Sequence, residues 1–165
     1  MQFKFCKQSQ INKEELEKIV DLKKIHWNYT IKEHLNWIKL NVKDNDIHVL
    51  MFEKEELKSY LNLINIEVRI DYKTKLFFGI GNVCSKEKEK GYGSLLLKEV
   101  NNYLVKENKT GILLCKDSLV LFYLKNDWKL LDKPLVKADF NLLNTMVFNM
   151  RCELENQIFF IEKEF

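Results

Sequence analysis

Cys84-Ser85-Lys86-Glu87-Lys88-Glu89-Lys90-Gly91-Tyr92-Gly93-Ser94-Leu95-Leu96-Leu97 is the stretch whose reading decides the fold. An apolar run, residues 76–83 (LFFGIGNV), leads into it. An amphipathic segment with Leu96, Val100, Tyr103 and Leu104 on one side leads out. The pattern predicts a strand, a lysine-rich loop and a helix in immediate succession. Glycines at 91 and 93 permit positive φ and a close backbone approach. A helix opening there aims its first N–H groups and the positive end of its dipole at the loop, which suits a phosphate. Lys86, Lys88 and Lys90 add mobile positive charge beside it. A solvated charged turn, with glycines for tight packing, is the plainer alternative for the same residues.

Working outward, residues 76–83 are nearly continuous in apolar and small residues and read as a central strand. Gly79 and Gly81 within it predict a bulge or a close backbone approach. They are not a dinucleotide fingerprint, because no third glycine follows and no helix starts there. Upstream, residues 46–53 and 57–68 are β-rich on either side of Lys54-Glu55-Glu56 and predict a hairpin, although the turn lacks Asn-Gly. Asn12 with Glu15, and Thr30 with Glu33, are capping boxes that open two helices. Leu16, Ile19, Val20, Leu22 and Ile25 supply the apolar face of the first, and Ile31, Leu35 and Ile38 that of the second. His26, Trp27 and Tyr29 fall at their junction. Residues 2–7 alternate as an edge strand does. Downstream, residues 110–116 read as a buried strand, 118–125 as a short helix and 128–131 as a strand start that Pro134 breaks. Residues 144–150 form another strand, with Met146 and Phe148 alternating against Thr145 and Val147. Residues 157–161 form a further one.

With 165 residues the chain has the length of one domain with a sizeable core. Its 27 basic and 24 acidic residues leave a formal charge of +3, which gives no global reason to invoke nucleic acid or a membrane surface. Glu87 and Glu89 interrupt the lysine loop, which further weakens a nucleic-acid reading. Cys6, Cys84, Cys115 and Cys152 lie far apart with no C-x-x-C pair, which argues against zinc and against a disulfide framework. Reduced thiols in a cytoplasmic protein are the expectation. The N-terminus lacks the apolar run of a signal peptide, and no segment approaches the ~20 apolar residues of a membrane span.

Lys88-Glu89-Lys90-Gly91-Tyr92-Gly93 resembles the acetyl-CoA-binding motif Q/R-x-x-G-x-G/A of the GNAT N-acetyltransferase superfamily, with lysine in place of Arg or Gln. Leu121-Phe122-Tyr123-Leu124-Lys125-Asn126-Asp127-Trp128 is similar to the family's FYxxxGF helix and turn, with Asp127 for Gly and Trp128 for Phe. The resemblance covers residues 76–131 well and the flanks by pattern only. It implies an α/β fold, a single domain over residues 1–165 with a mixed, mostly antiparallel twisted sheet and helices on both faces. Residues 116–123 are also thinly similar to the aminoglycoside 2′-N-acetyltransferase branch, which has Asp six positions before Tyr.

The resemblance further implies an N-acetyltransferase that moves acetyl from acetyl-CoA to a primary amine of a small molecule or peptide by direct attack in a ternary complex. No metal is implied, and homodimer formation is left open. CoA would be held by Lys88, Glu89, Lys90, Gly91, Tyr92, Gly93 and Ser94. A backbone N–H near Asn82 or Val83 would stabilise the oxyanion. Asp117 would either contact pantetheine or cap its helix. Tyr123, with an ordinary pKa near ~10, holds a proton at neutral pH and would give it to the leaving thiolate. Glu67 is the expected base, acting through water, with Glu53, Asp71, His48 and His34 as rivals. Trp27, Tyr29 and His34 are expected over the acceptor, with packing between helices as the alternative for Trp27. Acyl-cysteine chemistry at Cys84 would need a paired base that the sequence does not show. A non-catalytic CoA-binding sensor or complex subunit is the rival reading, to which Lys88 and Asp127 give weight.

Overall fold

The computed structural model describes residues 1–132, 136–138, 143–150 and 159–161. Pro134, Cys152 and residues 157–158, for which the sequence carried expectations, lie outside the described residues. The elements in chain order are β1 (Gln2–Lys7), a 3₁₀ turn (Gln8–Gln10), α1 (Lys13–Lys24), α2 (Ile31–Asn41), β2 (Ile47–Glu53), β3 (Glu56–Ile70) and β4 (Lys73–Ser85). After them come α3 (Tyr92–Lys106), β5 (Gly111–Cys115), α4 (Asp117–Leu124), β6 (Lys129–Leu130), β7 (Val136–Ala138), β8 (Asn144–Phe148) and β9 (Phe159–Ile161). The hydrogen-bonded strand order is β1-β2-β3-β4-β5-β8-β6, with β9 added to β3 and β7 to β9. The sheet is mixed and mostly antiparallel. Of its described pairings, β4 with β5 and β7 with β9 are parallel.

The chain forms two compact units. The first comprises Met1–Ile64 and Gly81–Val100, the second Asn65–Ile80 and Asn101–Phe165. In the first, β1 pairs antiparallel with β2 from Gln2↔Phe52 to Lys7↔Ile47, and β2 pairs with β3 with a register shift at Met51/Phe52. His48, Val49, Leu50 and Met51 are consecutive and buried, so both faces of β2 are covered. The β2–β3 hairpin closes through Lys54 (φ 48°) and Glu55 (φ 67°), and Glu56 already belongs to the strand. Two left-handed residues make the type I′ loop that twisted hairpins favour, reached here without Asn-Gly. Both capping boxes form as the sequence predicts, at Asn12/Glu15 and Thr30/Glu33. The apolar faces agree with expectation in part. Ile19, Val20, Leu22 and Ile38 are buried, but Ile25, Ile31 and Leu35 are exposed, and α2 buries His34 one helical turn before Ile38. α3 buries Leu96, Leu97 and Val100 on this side.

In the second unit the far half of β3 alternates, with Ile66, Val68 and Ile70 buried and Asn65, Glu67 and Arg69 exposed. β4 pairs with β5 at Phe78↔Gly111 and Gly79↔Ile112, and β5 pairs with β8 along its whole length. Thr145, Met146 and Val147 are all buried, so the predicted inside–outside alternation of this strand is replaced by burial on both faces. Leu76, at the start of the expected central strand, is exposed, and burial begins at Phe77. Trp128 anchors this unit. It is 1% exposed, and its indole Nε1–H donates to Asn101 Oδ1 at 3.1 Å. Asn101 Nδ2 in turn donates to the Asn126 carbonyl at 2.9 Å, which holds the turn after α4 against α3.

The Trp128 ring also explains the glycine that opens β5. A Cβ on Gly111 would lie 2.8 Å from Trp128 Cη2 and 2.8 Å from Leu104 Cδ1, closer than carbons can approach. Gly111→Ala must therefore displace the indole or the leucine. We expect a loss of about 1–3 kcal/mol in urea denaturation, the usual range for overpacking a core. An unchanged midpoint would show that the ring has room to move.

Candidate functional site

The first unit carries the loop that the sequence singles out. β4 leaves extended geometry at Asn82, whose φ is 53°. The glycines at 79 and 81 were expected to mark this break, yet the left-handed residue is the asparagine after them, a residue type that tolerates that region. Its side chain is held there, since Asn82 Nδ2 donates to Asn62 Oδ1 at 2.9 Å. Three further bonds fix the strand end. Ser59 Oγ donates to the Cys84 carbonyl at 2.8 Å, Lys86 N–H donates to the Lys58 carbonyl at 2.8 Å, and His26 Nε2–H donates to the Ser85 carbonyl at 2.7 Å.

Beyond this anchor the loop turns through Glu89 (φ 63°) and Gly91 (φ 74°). The Gly91 carbonyl accepts from Leu95 N–H at 3.0 Å, so α3 begins at once. A Cβ built on Gly91 would meet nothing within 4 Å, so a ligand can approach the backbone on that side. Gly93 already lies in the first turn of α3, where its contribution is room rather than φ. The loop lysines are not equivalent. Lys86 pairs with Glu56, and Glu56 and Glu87 both pair with Lys58, at 2.7 and 3.3 Å. Two ammonium groups hold the Glu56 carboxyl down at about 2. Lys86 is thus tied rather than mobile, which corrects the sequence reading. Lys88 and Lys90 are exposed. Tyr92 points its hydroxyl to Glu53 Oε2 at 3.2 Å, under Lys58, whose Nζ is 5.8 Å from the ring centroid.

The α1–α2 junction lies in the same unit. Trp27 is half-buried, His26 and Tyr29 are exposed, and His34 is 2% exposed with its ring edge-on to Tyr29 at 5.6 Å. His34 Nε2 is buried and has no hydrogen-bond partner among the described residues. The ring is bonded to the Trp27 backbone in a way that favours its protonated form. Burial and the Lys23 charge lower the pKa of His34. Lys23 itself was missed. It is 2% exposed, its Nζ lies 4.4 Å from the Trp37 centroid and 5.9 Å from that of Trp27, and burial lowers its pKa to about 8. A signal was present in the sequence, because Lys23 follows Ile19 and Val20 by four and three positions and so shares their buried face. His48 is fully buried and belongs to the core. Its Nε2–H donates to Gln8 Oε1 at 2.6 Å and Nδ1 accepts from the Tyr60 hydroxyl at 2.8 Å, while burial depresses its pKa to about 4. Burial pushes the Cys84 thiol up to about 12, a packing cysteine rather than a nucleophile.

The second unit holds the remaining candidates. Tyr123, on α4, is 5% exposed and packs edge-on against Phe122 (5.0 Å) and Trp128 (6.3 Å). Burial, with a smaller contribution from Cys115, raises its phenol well above the ordinary value, so it stays protonated. Asp127, where the motif has glycine, adopts φ 67° and so makes the left-handed turn that the glycine would make. Asp117 is the first residue of α4 and does not cap it. Lys116 occupies the cap position without a side-chain bond, and Asp117 Oδ1 instead accepts from Asn144 Nδ2 at 2.6 Å. Glu67 is exposed on the outer face of β3, and Asp71 sits in the β3–β4 turn with φ 53°. Among the described residues no group of three His, Cys, Asp or Glu could hold a metal ion, and no helix is long and apolar enough to cross a membrane.

No protein-family model and no curated protein matches the chain. Solved structures do. YhbS of Escherichia coli, a GNAT-family N-acetyltransferase in complex with CoA, superposes with a TM-score of 0.70 at 11% identity over 98% of this chain and 89% of its own. An acyl-CoA N-acyltransferase of Pseudomonas aeruginosa gives 0.67 at 14% identity over 90% and 99%. The aminoglycoside 6′-N-acetyltransferase of Enterococcus faecium gives 0.64 at 11% identity over 89% and 96%. The chain therefore has the GNAT fold, a mixed and mostly antiparallel sheet with helices.

Proposed function

We propose that the protein is an N-acyltransferase that moves an acetyl group from acetyl-CoA to a primary amine. The observation that carries this reading is the loop at Gly91, a left-handed residue with open space where a side chain would be, set directly before the first turn of α3. The CoA pyrophosphate would lie on the N–H groups of residues 88–94, with Lys88 and Lys90 supplying charge. Glu89 and Ser94 belong to the same turn, and Asp117 would line the path of pantetheine.

In the reaction the amine nitrogen forms a bond to the thioester carbonyl carbon and loses a proton, and the carbon–sulfur bond breaks to release the CoA thiolate, which takes a proton. A backbone N–H at Asn82 or Val83 would face the developing oxyanion. The asparagine–asparagine bond keeps that backbone fixed, and a fixed donor of this kind contributes on the order of 3 kcal/mol to the barrier. Tyr123 would hydrogen-bond the leaving sulfur and supply its proton. Trp27, Tyr29 and His34 would receive the acceptor, and Glu67 would pass the amine's proton to water. The left-handed Asp127 supports this reading over a non-catalytic CoA binder, because it adopts the backbone conformation that the motif's glycine would supply.

Two substitutions test the reading. Gly91→Asp puts a side chain and a negative charge where the phosphates would lie. It should weaken acetyl-CoA binding in calorimetry by at least about tenfold, ~1.4 kcal/mol, with the thermal unfolding profile largely kept. Unchanged affinity in a folded variant would remove the loop from the site. Tyr123→Phe keeps the ring packing and removes the proton, so kcat for thiol release with a panel of primary amines should fall about 100-fold or more at similar acetyl-CoA affinity. A kcat within about twofold of the parent would assign that proton to water.

A further inference from the structure

Three buried polar groups of the first unit lack the partner that their chemistry requires. Lys23 meets the faces of Trp37 and Trp27, and no carboxylate pairs with it among the described residues. Asn62 Nδ2 is buried and donates to nothing among the described residues, its Oδ1 being taken by Asn82. His34 Nε2 is likewise buried and meets no hydrogen-bond partner among the described residues. Lys23 and His34 meet at the α1–α2 junction, since Lys23 Nζ lies over the Trp37 and Trp27 rings and His34, one helical turn before Trp37, packs against Tyr29, and the Lys23 charge is also felt at His34 and His48. Glu15 and Asp46 carry the negative charge felt at His48, and Glu15 is paired with Lys4. Asn62 stands opposite His48 in the β2–β3 register, which puts the two side chains on the same sheet face.

A desolvated cation is retained at a cost, and indole faces offset only part of it. Residues that hold such a group in a fold are candidates for ligand recognition. Here the needs are complementary. The ammonium and the amide N–H require an anion's oxygens, and a neutral imidazole can accept an N–H at Nε2. One cation matches a carboxylate better than a doubly charged phosphate. We infer that the acceptor is an amine that also bears a carboxylate, with Lys23 and Asn62 receiving the carboxylate and His34 Nε2 the amine N–H. Trp27 and Tyr29, which cover Lys23 and His34, turn aside to admit it. This rests on the acyl-transfer reading for the fate of the amine, but not for the recognition of the carboxylate.

The test uses the bare carboxylate first. Lys23 is titrated by NMR of the labelled lysine side chain in sodium acetate and in sodium chloride at equal ionic strength. We expect acetate to raise the Lys23 pKa by about one unit, the mark of tenfold tighter binding to the charged form. Lys23→Met should remove the thermal shift that acetate gives, and it should fold, because it replaces a buried charge with a chain of similar shape. With acetyl-CoA, L-leucine should be preferred over 3-methylbutylamine by at least about tenfold in kcat/KM, and Lys23→Met should abolish that preference. An identical titration in the two salts, or a preference that survives Lys23→Met, overturns the inference. An acetate effect without thiol release from any amine would instead leave the carboxylate site standing and reject the transfer reading.

Discussion

The end of β4 is the constraint on which the candidate site depends. A strand that stayed extended past residue 81 would aim the following loop elsewhere, and α3 would open onto nothing. The left-handed Asn82 prevents this, and a left-handed residue inside a strand persists only where its surroundings hold it. Asn62 holds the side chain, Ser59 and Lys58 hold the backbone from β3, and His26 holds it from the α1–α2 junction. These ties lie within a few residues of one another. The backbone that would face a thioester is therefore fixed before any ligand arrives, and preorganisation of this kind is what makes a backbone dipole effective in catalysis.

The His26 bond has a second consequence. It links the junction that would receive an acceptor to the last residue before the loop proposed to hold CoA. Tyr92 makes a different tie, from the start of α3 to the end of β2, reaching Glu53 beside the Lys58–Glu56–Lys86 ion pairs. Those pairs are partly exposed and contribute little stability, but they decide which lysines remain available. Lys86 is neutralised by its partner, so the positive charge near Gly91 comes from Lys88 and Lys90.

Much of this was legible in the sequence because it depends on local rules. Capping boxes at Asn12 and Thr30, the apolar run into the lysine loop and the glycine at 91 each specify their own backbone, and each appears in the structure. What the sequence hid depends on contacts between distant residues. Nothing local announces that Asn82 rather than Gly79 or Gly81 breaks the strand, because its stabilising partner is twenty positions away at Asn62. The apolar stripe of α2 was misread at Ile31 and Leu35 because their side chains look hydrophobic while the tertiary packing selects His34. Asp117 looked like a cap, but Asn144 claims its carboxylate from another strand. Lys23 was overlooked because lysine is so rarely buried that helical spacing alone did not overrule its polarity.

The central claim is that the loop closing β4 and opening α3 receives the pyrophosphate of CoA. Amide-resolved NMR during a titration with CoA measures this residue by residue. The account predicts saturable shifts largest at Gly91, Tyr92, Gly93 and Ser94, with smaller ones at Asn82 and Val83. Saturation that leaves the amides of residues 88–94 unmoved, or no binding at millimolar CoA, would contradict it.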